Sequence, residues 1–430
     1  MSTPSFAVEI YQNEYLPDRA REVNAIVTVT STGAAALAAP TRRGAAEIII
    51  IDCSGSMGAP MSKMIEARRA AAAAIDAIRD GVAFAVIAGS HVAKVAYPAG
   101  GKLAIADERS RDGAKRSLGN LRPGGGTAIG QWLGLTRRIL GSRESTMRHA
   151  ILLTDGQNAS ESAPELAAAI ASCEGAFSCD CRGVGTDWAV DELRRISTAL
   201  LGTVDIVADP AGLAADFQAM MTASMDKQVA DVALRVWTPQ HATVRFVRQV
   251  APAVEELTAR RTEAGPRVGD YPTGAWGTES RDYHVCVSVE PAAVGVEMLA
   301  ARISVVLDGP SGALVLSQGL VRAIWTEDEA LSTRINRHVA HYSGQAELAQ
   351  AIQDGLEARK AGDTGTAEAK LGRAVALAHE SGNEDSARLL AGVVDVINPA
   401  TGVVRLKATV GEADEMTLDT RSQKTVRVRK

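Results

Sequence analysis

The stretch Ala46-Glu47-Ile48-Ile49-Ile50-Ile51-Asp52, continuing as Cys53-Ser54-Gly55-Ser56-Met57-Gly58, decides the fold. An unbroken β-branched run with no polar alternation marks a strand covered on both faces, as strands of parallel sheets are. A helical stretch follows at 60–79, with Met61, Met64, Ile65, Arg68, Ala72 and Ile75 at helical spacing. Further apolar runs come at Val82–Ala88, Ala150–Thr154, Ala176–Val184 and Thr203–Val207. Helical candidates at 109–120, 128–141, 163–173, 187–200 and 210–226 separate them. Strands alternating with helices over 45–227 predict a doubly wound, Rossmann-like α/β domain with an open sheet.

Outward from this segment the pattern changes. Residues 5–12 and 22–30 alternate apolar and polar side chains and read as half-buried strands, with the Ala/Gly/Pro-rich stretch 31–45 as a linker. Alternation by twos returns at 229–237, 242–250, 282–290, 301–308 and 313–325. These strands predict an antiparallel β-sandwich over 228–326 that is incomplete alone, with the N-terminal segment 1–44 as its supplement. The sandwich is then split in sequence by the α/β domain.

Residues 327–398 turn helical, at Gln345–Ala361, Thr364–His379 and Asn383–Ile397. The turn Ala361-Gly362-Asp363 followed by Ala367, Leu371 and Ala374 resembles part of a tetratricopeptide (TPR) repeat, though only about one and a half units fit, and a small helical bundle or cap is the favoured reading. The tail 399–430 is strand-like and polar. Its threonines Thr417, Thr420 and Thr425 stand among acidic and basic residues, where a phosphate would create a site for an arginine-bearing reader. A terminal hairpin completing a sheet is the other reading. Asp414, Glu415 and Asp419 are also candidate carboxylates for self-association.

Composition excludes several function classes. The chain has 430 residues, 46 basic against 51 acidic, and a net charge of −5, which favours neither nucleic acid nor a membrane surface. No window approaches the roughly 20 apolar residues that span a bilayer. The opening MSTPSFAVEIYQNEYLP has no basic segment followed by an apolar run, so the expectation is a cytoplasmic protein. The 5 cysteines are sparse and odd in number, unlike a disulfide framework. Cys173, Cys179 and Cys181 lie close together, but no second Cys/His pair has zinc spacing.

The chemistry concentrates at strand ends. Asp52, Ser54 and Ser56 form a D-x-S-x-S pattern at the carboxyl end of the first buried strand, where open α/β sheets place ligands. Pro123-Gly124-Gly125-Gly126-Thr127 makes a glycine-rich loop before a helix, and Ile151-Leu152-Leu153-Thr154-Asp155-Gly156 ends another strand in an aspartate. Together these resemble the metal-ion-dependent adhesion site (MIDAS) of the von Willebrand factor A (vWA) domain family, and the runs Val8–Leu16 and Gly277–Val285 resemble an actinobacterial cytoplasmic form of it. The match runs residue by residue through Asp52, Ser54 and Ser56, then Thr127, then Asp155, within roughly 45–227.

The residue types suit that reading on their own terms. Mg²⁺ takes about six oxygens and keeps several waters. Alternate residues of an extended loop point the same way, so Asp52, Ser54 and Ser56 can converge on one Mg²⁺ or Mn²⁺. Hydroxyl ligands are neutral, which leaves the ion electrophilic toward an outside carboxylate. Gly124–Thr127 lacks the Lys-Ser/Thr of a phosphate-binding loop, and Gly183-Val184-Gly185 lacks the third glycine of a dinucleotide fingerprint. His338 and His341 read as surface or packing histidines. No nucleophile stands beside a base, so no enzyme is expected.

The resemblance implies a protein-binding scaffold that captures an acidic residue of a partner. It also implies an alternative, an accessory subunit of a MoxR- or chelatase-like ATPase or of a tellurite-resistance-type stress complex. Forkhead-associated proteins, kinases or phosphatases are the partners that such a context suggests.

Overall fold

Three strands precede the α/β segment: β1 (Phe6–Gln12), β2 (Tyr15–Pro17) and β3 (Glu22–Ser31). The computed structural model describes residues 5–32, 44–142, 147–307 and 312–428. Most of the linker expected at 31–45 therefore lies outside the described residues. The chain divides into two units, Ala36–Lys227 and a second made of Met1–Ala35 with Gln228–Lys430.

The first unit begins β4 (Ala45–Asp52), α1 (Ser62–Ala77), β5 (Ala83–Gly89), β6 (Ala93–Tyr97), β7 (Ala104–Ile105), α2 (Glu108–Leu118) and α3 (Ile129–Gly141). It continues β8 (Met147–Thr154), α4 (Ala163–Cys173), β9 (Ser178–Val184), α5 (Val190–Ala199), β10 (Val204–Val207) and α6 (Leu213–Asp226). Strand order is β10-β9-β8-β4-β5-β6, with β7 also on β5. The sheet is parallel from β10 to β5. Only β6 and β7 run antiparallel.

Every residue of β4 is buried, as its unbroken apolar run requires. Ile49 and Ile51 pack among Met64, Ala67, Ala71, Phe217 and Met221 from α1 and α6. Ile48 and Ile50 point to the opposite face, where they are fully buried. Each such side chain stabilises the fold by roughly 1.5–3 kcal/mol. Alanines Ala67, Ala70, Ala71 and Ala74 line the buried face of α1, and their small size lets α1 and α6 approach closely. The two helices cover one face of the sheet. The cysteines Cys173, Cys179 and Cys181 are free and buried in this unit.

At the amino-terminal end of the strands, a buried charged group ties three of them together. His149 on β8 contacts Glu47 of β4 through Nδ1 at 2.7 Å and Asp180 of β9 through Nε2 at 2.9 Å. Burial opposes the imidazolium, but the Glu47 charge and then the Asp180 hydrogen bond overcome it and push the His149 pKa up to about 10. Glu47 also accepts from Ser224 Oγ of α6 at 2.7 Å.

In the second unit, β11 (Val229–Trp237), β12 (Ala242–Ala251), β13 (Glu255–Glu256), β14 (Thr262–Gly265) and β15 (Val268–Trp276) come first. They are followed by β16 (Glu279–Val289), β17 (Glu297–Leu307) and β18 (Leu314–Thr326). One sheet has the order β1-β3-β16-β12-β13 and the other β14-β15-β11-β17-β18-β2. β3 lies between β1 and β16, so the N-terminal strands do complete the sandwich, as their apolar faces predicted. Val23, Val27 and Val29 of β3 share one core with Leu234, Ile303, Val321 and Trp325 of the opposite sheet.

The C-terminal part contains α7 (Glu329–Ser332), α8 (Arg337–Lys360), α9 (Thr364–Ser381), α10 (Glu384–Val393), β19 (Val394–Asn398), β20 (Val403–Leu406) and α11 (Glu412–Arg421). α8 and α9 form a helical hairpin whose second helix is capped by Asp363, which accepts from the Thr366 amide at 3.1 Å. The start of α8 sits against the sandwich: Tyr342 donates to buried Asp282 Oδ2 at 2.5 Å, and Thr28 donates to Asp282 Oδ1 at 2.6 Å. His338 stacks on Tyr11 with ring centroids 3.8 Å apart, and His341 Nε2 donates to the Val426 carbonyl at 2.8 Å. Both histidines serve packing.

The strand-like reading of the tail needs correction, because 412–421 is helical. Glu412, Asp414 and Glu415 fall in the first turn of α11, where the helix dipole favours negative charge. The tail's candidate contact residues are also engaged within the unit. Thr420 is buried. Thr425 Oγ1 donates to the Val250 carbonyl at 2.6 Å, and Thr417 Oγ1 donates to the Ala413 carbonyl at 2.5 Å. Asp419 is buried and accepts from Gln353 at 3.1 Å, while Glu415 pairs with Arg359. The Thr425 hydroxyl and the Glu415 and Asp419 carboxylates are thus taken up by contacts within the unit, while Thr420 is held out of solvent. No helix among the described residues is long and apolar enough to cross a membrane.

Two outcomes follow from this packing. Val27→Ala opens a cavity in the sandwich core and should lower stability by about 2 kcal/mol in urea unfolding. His149 behaves as a raised-pKa group, so its stabilisation is complete below pH 6.5 and lost as pH climbs to about 10. Melting temperature should therefore fall across that window in the native chain. His149→Gln should start lower at pH 6.5 and fall less.

Candidate metal centre

The strands end together and present their terminal side chains at one edge. Ile51 of β4 lies opposite Leu153 of β8, so Asp52 and Asp155 emerge from neighbouring strand ends. Both carboxylates are 0% exposed. Asp52 Oδ1 accepts from the Ser54 amide at 2.6 Å, and Asp52 Oδ2 accepts from Thr154 Oγ1 at 2.5 Å. Ser54 Oγ and Ser56 Oγ are 2.9 Å apart. Ser56 Oγ donates to Asp155 Oδ1 at 2.7 Å. The two carboxylates are thus linked through Ser54, whose amide meets Asp52, and the Ser56 hydroxyl, which meets Asp155.

Thr127 arrives from the glycine-rich loop. That loop is laced to the Asp52 loop by Gly55 N–H to the Gly125 carbonyl at 2.9 Å and Gly124 N–H to the Cys53 carbonyl at 2.8 Å. Gly125 takes φ +81°, a left-handed value that suits glycine, and an added Cβ would also collide with the His91 ring. A Cβ built at Gly156 would stand 3.3 Å from Ser56 Oγ and 3.5 Å from Thr127 Oγ1, which places both hydroxyls beside the same turn. Cys53 turns the other way, into the apolar core. The structure therefore brings Asp52, Ser54, Ser56, Thr127 and Asp155 into one constellation.

The electrostatics of this group call for a cation. Burial raises the Asp52 pKa to about 6, against hydrogen bonds from Thr154 and Ser54 that lower it, and the nearby Asp155 charge raises it further. Lys63 supplies one positive charge: its Nζ donates to Asp155 Oδ2 at 2.8 Å and to Asp187 Oδ2 at 3.0 Å. Burial alone would lower the Lys63 pKa, but hydrogen bonds to Asp155 and Asp187 outweigh it and raise the value. Among the described residues no three His, Cys, Asp or Glu side chains cluster to hold an ion. A metal here would use hydroxyls as well as carboxylates. Such an all-oxygen set suits a hard divalent ion such as Mg²⁺ or Mn²⁺.

Sequence reading missed Lys63, Asp187 and the Thr154 hydroxyl. Lys63 carried a usable signal, since it lies in the first turn of α1, where the helix dipole disfavours a cation. The glycines singled out earlier have packing roles. Gly183 leaves room for the Trp188 ring, and the loop at Gly124–Thr127 is spent on holding the Asp52 loop.

An open α/β sheet with an oxygen-rich constellation at its carboxyl edge, paired with a sandwich and C-terminal helices, defines a recognisable class. The sequence profile of the von Willebrand factor type A domain matches residues 48–157, and that of the von Willebrand factor type A C-terminal domain matches 376–422. A solved structure described as von Willebrand factor type A from Catenulispora acidiphila is 52% identical. The alignment covers 99% of this chain and 98% of that one, at a TM-score of 0.94. The chain belongs to the von Willebrand factor type A family.

The ArnB paralog VWA2 from Sulfolobus acidocaldarius is 14% identical, with 98% of both chains covered and a TM-score of 0.62, which extends the likeness in fold alone. Comparison with curated proteins gave no match. Domains of this family are commonly metal-dependent protein-interaction modules.

The lacing of the two loops gives a direct check. Gly125→Ala forces a Cβ onto the His91 ring at a left-handed backbone position and should cost about 1–3 kcal/mol. Urea unfolding that leaves the variant as stable as the parent would contradict this loop geometry.

Proposed function

We propose that this chain is a non-enzymatic, metal-dependent protein-binding scaffold. Asp52, Ser54, Ser56, Thr127 and Asp155 hold Mg²⁺ or Mn²⁺, some of them through water, and an acidic side chain of a protein partner completes the shell. The observation that carries this reading is the pair of fully buried carboxylates joined through Ser54 and Ser56 at the carboxyl edge of the sheet.

The chain's residues divide the work. Asp52 and Asp155 supply charge, while the hydroxyls supply neutral oxygens and leave the ion attractive to a further anion. Thr154 and the Ser54 amide fix the Asp52 carboxylate on both of its oxygens. The Gly55–Gly125 and Gly124–Cys53 hydrogen bonds hold two ligand loops in register. A bound ion supplies Lewis acidity toward a carboxylate.

Asp155→Ala removes charge that the ion needs. Calorimetric Mg²⁺ affinity should fall by at least about tenfold, with circular dichroism unchanged. Thr127→Ala removes one neutral ligand and should weaken binding less. Recovery of a partner from host lysate should be lost with EDTA and with Asp155→Ala alike. Equal Mg²⁺ affinity in the native chain and Asp155→Ala would refute the ligand assignment.

A further inference from the structure

We propose that Lys63 is an internal counter-cation of this site, offsetting the Asp155 charge without a divalent ion and weakening the ion's grip once it enters. The proposal rests on the reading of Asp52, Ser54, Ser56, Thr127 and Asp155 as the metal ligands. Lys63 itself is 7% exposed, so its ammonium is largely removed from water. It reaches Asp155 Oδ2 at 2.8 Å and Asp187 Oδ2 at 3.0 Å, while Ser56 occupies the other Asp155 oxygen.

Position and burial both argue that this charge is held for a reason. A cation in the first turn of α1 works against the helix dipole, and burying an ammonium is costly unless anions meet it. Asp155 and Asp187 meet it. Lys63 therefore offsets the negative charge that would otherwise stand unpaired at the end of β8.

A divalent ion changes the balance. The ion and Lys63 draw on the same Asp155 carboxylate and repel each other across a site of low polarisability, where charges interact more strongly than in water. Asp187, with a side chain 69% exposed, gives Lys63 a second anion outside the ligand set. The ammonium can lean on Asp187 as the ion takes a larger share of Asp155. Metal affinity is then set below what five oxygen ligands alone would give, and the ion is exchangeable. Partner capture would follow the ambient Mg²⁺ concentration.

Titration calorimetry of the full chain with Mg²⁺ alone tests this by the direction of two changes. Lys63→Met should bind Mg²⁺ about tenfold tighter, since a like charge near the ion is gone. Asp187→Asn should bind it about threefold more weakly, because Lys63 is left with Asp155 only. In EDTA, Lys63→Met should melt below the native chain, and Mg²⁺ should raise its melting temperature by more than it raises the native one.

Unchanged or weaker Mg²⁺ binding by Lys63→Met would overturn the proposal and leave Lys63 as a group that merely positions Asp155. If that variant fails to fold, Asp187→Asn decides, and unchanged or tighter binding there overturns it equally. Absence of Mg²⁺ binding in the native chain would remove the metal-site reading itself, and this proposal with it.

Discussion

Two carboxylates without water are the constraint around which the α/β unit is arranged. Asp52 and Asp155 are fully buried at the ends of adjacent parallel strands. Isolated negative charge in such a place is costly, so it must be met by donors or by cations. The structure meets it with the Ser54 amide, the Thr154, Ser54 and Ser56 hydroxyls, and the Lys63 ammonium. The glycine-rich loop is held against the Asp52 loop by two backbone hydrogen bonds. Ion binding, on this account, is the last contribution to a balance that the chain has mostly struck for itself.

The same principle operates at the other end of the strands with the signs arranged differently. There the positive charge is His149, fixed between Glu47 and Asp180, and Ser224 extends the contact to α6. A buried parallel sheet has no solvent face on which to place charge. Its polar groups therefore collect at the two strand ends, the His149 group at one and the Asp52–Asp155 constellation at the other.

Much of this was legible in the sequence, for identifiable reasons. The run Ile48–Ile51 needs no partner to be interpreted, because only a strand covered on both faces tolerates it. Asp52, Ser54, Ser56, Thr127 and Asp155 were singled out by their resemblance to the MIDAS motif, whose residues lie in short runs at strand ends and in one glycine-rich loop. That β3 joins strands from the 229–325 region followed from apolar faces that had to be covered, and the structure gives β16 as its partner.

What was missed depended on tertiary contact. β15 was hidden by Gly269, Pro272 and Gly274, and Pro272 is tolerated because it lies past the end of β14, where the strand is an edge. α11 was read as a strand from alternation alone, although Glu412, Asp414 and Glu415 mark a helix start. Lys63 became meaningful only when Asp155 and Asp187 converged on it.

The most direct measurement is anomalous diffraction from crystals soaked in Mn²⁺, which scatters strongly where Mg²⁺ does not. The account predicts one strong peak enclosed by Asp52, Ser54, Ser56, Thr127 and Asp155, at oxygen distances of about 2.0–2.3 Å. A well-diffracting soaked crystal with no peak there, or with the ion on other residues, would contradict it.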